Sequence, residues 1–83
     1  MINDMTNLEK YNSIFTDVFG VAPSSLGDSF SKDSVEQWDS VHQLNLVSLA
    51  EEIFDVMLDP EDIMGFTSYT AGKEIMANQG VEI

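Results

Sequence analysis

Three stretches of this 83-residue chain carry apolar residues at helical spacing, and none shows the strict alternation of a half-buried strand. In the first, Leu8, Tyr11, Phe15, Val18 and Phe19 form a stripe from about Asn7 to Phe19. Gly20 supplies a left-handed stop, and Pro23 prevents continuation. The second stretch begins at Asp39-Ser40 and runs to Phe54. Leu46, Val47, Ala50, Ile53 and Phe54 follow a three-and-four spacing there, while Glu51, Glu52 and Asp55 mark a solvated side. Asp59-Pro60-Glu61-Asp62 is a helix start, with Asp as cap and Pro suited to the first helical position, but Gly65 keeps that helix short. Ser68 can cap a last helix to about Asn78, with Tyr69, Ala71, Gly72, Ile75 and Met76 on or near its inner face. Between the first two helices, Val21 to Glu36 reads as a long loop anchored by Leu26 and Phe30. The pattern predicts one all-α domain over residues 1–83, a small four-helix bundle of three principal helices and one short one. Its expected core includes Leu8, Phe15, Phe19, Leu46, Val47, Ala50, Phe54, Ile63 and Ile75.

Composition narrows the function. Fifteen acidic residues face three lysines and no arginine, for a formal net charge of −12. That balance disfavours nucleic-acid binding, which depends on cations meeting phosphates, and adsorption to anionic membrane. With 43% hydrophobic residues the chain can still bury a core. It has no cysteine, hence no disulfide framework, no thiolate nucleophile and no cysteine-ligated metal. The start, MINDMTNLEKY, lacks a basic segment followed by an apolar run, so no signal peptide is visible and a cytoplasmic protein is expected. A monomer is expected as well.

Few residues could carry chemistry unaided. His42 is the only histidine, and Ser40, two positions away, does not share its helical face. No glycine pattern of a nucleophile elbow surrounds Ser40. Asp28, Ser31, Asp33 and Glu36 lack the alternating oxygens and central glycine of a calcium loop. The five methionines (Met1, Met5, Met57, Met64, Met76) are scattered, and such residues more often fill core gaps or stand exposed than form a target groove.

The segment from Trp38 to Phe54, WDSVHQLNLVSLAEEIF, stands out. Ser40-x-x-Gln43 taken alone is a capping-box pattern, with Ser40 as the cap. The whole segment, however, resembles the recognition region of acyl carrier proteins. There an Asp-Ser-Leu motif opens the second helix, and an apolar-plus-acidic run ending in Glu-Glu-x-Phe follows. The resemblance extends to Phe19-Gly20-Val21 at the end of the first helix and to Thr67-Ser68-Tyr69-x-Ala71 before the last one. It covers residues 7 to 78.

The resemblance implies that Ser40 carries a 4′-phosphopantetheine arm derived from coenzyme A, with Asp39 as the flanking acid. The chain would then be no enzyme itself. It would carry an acyl or aminoacyl group as a thioester on the arm's thiol, which supplies the sulfur the sequence lacks. The implied partners are a phosphopantetheinyl transferase and acyl-transferring, ligating or condensing enzymes with basic docking patches. Val41 stands where the family usually has Leu, and His42 and Asn45 stand where many fatty-acid carriers have acidic residues. Trp38 before Asp39 looks more like the discrete carriers of specialised pathways than those of fatty-acid synthesis. An aminoacyl or peptidyl carrier, or an unmodified acidic binding module of the same fold, are the alternatives.

Charge supports a partner without the family. The forty residues from Asp33 to Gly72 hold nine acidic side chains and no Lys or Arg. Such a bias steers a partner with a basic patch. Glu51, Glu52 and Asp55 are the candidate docking charges, and Val41 and Leu44, on a face angled away from the Leu46–Val47–Ala50 stripe, are the candidate apolar contacts.

Overall fold

Each helix starts where a short polar side chain can satisfy the first free backbone amides. In the computed structural model, which describes residues 5–83, the first helix, α1, spans Asn7–Phe19. Thr6 and Glu9 form a reciprocal capping box: the Glu9 amide donates to Thr6 Oγ1 at 3.1 Å, and the Thr6 amide donates to Glu9 Oε1 at 2.9 Å. Gly20 ends the helix at φ 68° and ψ 28°, its amide donating to the Thr16 carbonyl. The second helix, α2, spans Ser40–Phe54 behind an Asp39 cap. Short α3 spans Pro60–Gly65 behind Asp59, and α4 spans Tyr69–Asn78 behind Ser68. All three caps accept from an amide three residues on.

The product is a small all-α bundle with no strand among the described residues. Helix α1 packs along α2, and α3 packs on α4. The long connection between α1 and α2 contains only a 3-10 turn at Pro23–Ser25 and one isolated antiparallel bridge, Ser31 to Ser68. Around that bridge the Tyr69 amide donates to the Phe30 carbonyl at 2.9 Å, and the Lys32 amide donates to the Thr67 carbonyl at 2.8 Å. Phe30 is thus the anchor the sequence suggested, and Leu26 packs partly buried against the core.

The core is aromatic. Tyr11, Phe15, Phe19, Phe30, Trp38, Phe66 and Tyr69 are buried together with Ile14, Leu46, Val47, Ala50, Leu58, Ile75 and Met76. Phe15 lies at the centre, with ring centroids of Tyr11, Phe30, Trp38 and Tyr69 between 5.1 and 6.0 Å away. Offset and edge-on ring pairs at such distances add stability beyond their buried area. The Tyr11 hydroxyl donates to the Tyr69 carbonyl at 2.6 Å, joining the first helix to the last.

The expected core needs one correction. Leu8 is 42% exposed. It lies in the first turn of α1, beside which runs the end of the chain, where the Asn7 side chain donates to the Glu82 carbonyl. Phe54 and Ile63 pack partly buried against the core, and the remaining expected residues are inside it. Met1 lies outside the described residues; Met76 fills the core, while Met57 and Met64 are exposed.

Candidate functional site

Ser40 is exposed and is the first residue of α2. The capping-box reading of Ser40 does not hold. Asp39 is the cap, its Oδ1 accepting from the His42 amide at 2.9 Å. Gln43 does not reach back to the helix start; its side-chain nitrogen donates to the Ile63 carbonyl at 2.7 Å and ties α2 to α3. The Ser40 hydroxyl is therefore not needed to hold the helix together.

Asp39 and His42 form a second, side-chain contact: His42 Nδ1 lies 2.7 Å from Asp39 Oδ1. The His42 ring also stacks on Phe19, with centroids 5.5 Å apart and planes within 11°. The His42 amide, and then its ring, hold the Asp39 carboxyl below its usual range. His42 is thus committed to Asp39 and to the core edge.

Trp38 fixes where this turn begins. It is 3% exposed and packs against Phe15, Phe19 and Phe30, with the Phe19 centroid nearest at 5.3 Å. Its indole nitrogen has no hydrogen-bond partner among the described residues. A buried aromatic immediately before an exposed Asp-Ser pair pins the chain, so that cap and serine emerge at a defined point on the surface.

Beside Ser40, α2 and α3 bound a groove of about 310 Å³, lined by Lys32, Ser40, Gln43, Leu44, Ile63 and Met64. Val41 and Leu44 are 64% and 57% exposed, so the two apolar residues assigned to a partner have no core role. Met64, 76% exposed on α3, extends the same apolar surface. Sequence reasoning missed Met64 and Lys32, because each reaches the groove only through the packing of its own segment against α2.

The acidic candidates divide. Glu52 and Asp55 are exposed. Asp55 also ends α2 in the left-handed conformation, at φ 53°. Glu51, expected on the solvated side, is half-buried, and its Oε2 accepts from the Leu58 amide at 2.9 Å. That carboxylate organises the α2–α3 connection, so its negative charge has a structural task. Among the described residues no group of three His, Asp or Glu converges as a metal site, and no helix is long and apolar enough to cross a membrane.

No family model, curated protein or solved structure matches this chain.

Proposed function

We propose that this chain is a carrier protein whose Ser40 receives a 4′-phosphopantetheine arm from coenzyme A. The observation that carries the reading is the placement of Ser40: exposed at the first position of α2, released from capping by Asp39, and beside an apolar groove. These features suit such an arm. A phosphate on the Ser40 oxygen would meet the unpaired amides and the positive end of the α2 dipole. The apolar sides of Leu44, Ile63 and Met64 would take the uncharged part of the arm. When attached, the arm's thiol supplies the thioester chemistry that a cysteine-free chain cannot.

In this reading the protein's own residues bind and present rather than catalyse. Asp39 fixes the helix start, Trp38 anchors it to the core, and Val41 and Leu44 offer apolar contact to the enzymes that load and unload the carrier. The acidic run along α2 and after it attracts basic docking patches. Trp38 before Asp39 and the stretch from His42 to Asn45, which has no acidic residue, favour a specialised biosynthetic pathway over fatty-acid synthesis.

The test is direct. Incubated with coenzyme A and a broad-specificity phosphopantetheinyl transferase, the protein should gain one arm, mapped to Ser40 by mass spectrometry. Ser40→Ala should gain none. An unmodified parent, or a modified Ser40→Ala protein, overturns the reading.

A further inference from the structure

We propose that Lys32 is the positioning residue for the phosphate carried on Ser40, closing one side of the groove between α2 and α3. The inference rests on the carrier reading and adds to it a residue outside the Asp-Ser region that lines the same groove as Ser40.

An anion at Ser40 enters an unfavourable field. The chain's formal charge is −12, and Asp39, held ionised by His42, is the preceding residue. The first-turn amides of α2 offset only part of that repulsion. One lysine lines the same groove as Ser40, and it is Lys32. The other two are placed elsewhere: Lys10 lies on α1, and the Lys73 ammonium sits 4.6 Å from the Tyr69 ring centroid. Two further surface hollows of about 350 Å³, one beside Asn12 and Thr16 and one between Asp17 and Asn45, contain no lysine.

Lys32 is held in place by its backbone. The Ser31–Ser68 bridge, the Lys32 amide on the Thr67 carbonyl and the Tyr69 amide on the Phe30 carbonyl fasten this segment to the start of α4. Among the described residues the Lys32 ammonium makes no ion pair, the one pair there being His42 with Asp39. A cation with a fixed backbone and no carboxylate partner, in an otherwise uncharged groove that contains the modified hydroxyl, is complementary to a phosphate at that hydroxyl.

Two forms of the full chain test this. In the first, the protein is converted to the arm-bearing form, verified by mass, and the side-chain signals of its three lysines are followed by NMR. The Lys32 side-chain signals should shift relative to the unmodified protein, while those of Lys10 and Lys73 stay put. A fully modified protein with unmoved Lys32 signals overturns the proposal and leaves the carrier reading standing. In the second, phosphoserine is encoded at position 40, which needs no transferase, and the phosphate is titrated by ³¹P NMR. Its second ionisation, ordinarily near pH ~6, should lie about half a pH unit lower in the parent than in Lys32→Met, with Lys32→Arg restoring it. Asp39 and His42 are the same in all three proteins and cancel from the comparison. Superimposable titrations of the parent and Lys32→Met overturn the proposal. If the transferase adds no arm, the carrier reading fails by itself, and the phosphoserine titration still decides what Lys32 does.

Discussion

Tyr11 and Gly72 meet with no room between them: a Cβ at Gly72 would overlap the Tyr11 hydroxyl and stand 2.7 Å from the edge of the Phe66 ring. This contact sets how closely α4 approaches α1, and the Tyr11 hydroxyl then reaches the Tyr69 carbonyl one turn earlier on α4.

Gly72→Ala therefore sets two effects against each other. Alanine favours a helix interior over glycine by about 1 kcal/mol. Forcing a methyl into a packed aromatic contact costs typically about 1–3 kcal/mol. Neither Tyr11, fixed by its hydrogen bond, nor the buried Phe66 ring can give way cheaply. The expected outcome is a net loss of stability, read as a lower urea midpoint with an unchanged slope. A midpoint equal to or above that of the parent would show that α4 can slide.

Alkaline pH should unfold the protein cooperatively. Burial, and secondarily the neighbouring Tyr69 phenol, push the Tyr11 phenol far above its ordinary value. An unfolded tyrosine loses its proton near pH ~10, while folded Tyr11 keeps its own. Above that pH the unfolded state binds fewer protons than the native one, so stability is intact below pH ~10 and falls as pH rises further. Tyrosinate absorbance from Tyr11, isolated in a Tyr69→Phe background, should appear only together with the loss of helical circular dichroism.

Asp39 gives the opposite sign. Its carboxyl is depressed by the His42 amide and ring, so the stability it contributes is present above the ordinary carboxylate range and disappears as pH falls through the folded value. Asp39→Ala should lower the Tm at neutral pH and flatten the acid limb of the stability profile. Backbone amide signals of Ser40, Val41 and His42 should broaden or shift in that variant, while α4 remains unchanged.

Docking should separate into a charged and an apolar part. Glu52→Lys is the clean reversal, because Glu51 is committed to the Leu58 amide and its replacement would disturb the α2–α3 connection. Glu52→Lys should slow modification by the transferase, with the difference shrinking as salt is added. Leu44→Ala, at a position 57% exposed, should slow it to a similar degree at every salt concentration. Parental rates for both would leave the second helix without a docking role.

The sequence by itself determined the helices, because their signals are local. Gly20, Asp59-Pro60 and Ser68 act through hydrogen bonds within one turn, and each element ends within a residue or so of where those signals place it. The Thr6–Glu9 capping box was equally legible in a Thr-x-x-Glu spacing that the helical stripe overshadowed. Prominence of the Asp39-Ser40 segment was legible too, though not which of the two caps the helix, since either side chain is chemically able to do so. Tertiary structure decided what lies between elements far apart in sequence. Leu8 fits the helical stripe yet remains exposed, whereas Ile14 and Phe66 are fully buried, since burial depends on what packs opposite each side chain. Glu51 found a backbone amide seven residues away across the bend after α2. Lys32, on a loop with no periodicity to read, joins Ser40 only because its strand-like contact with Thr67 and Ser68 carries it to the side of the groove that α2 and α3 form.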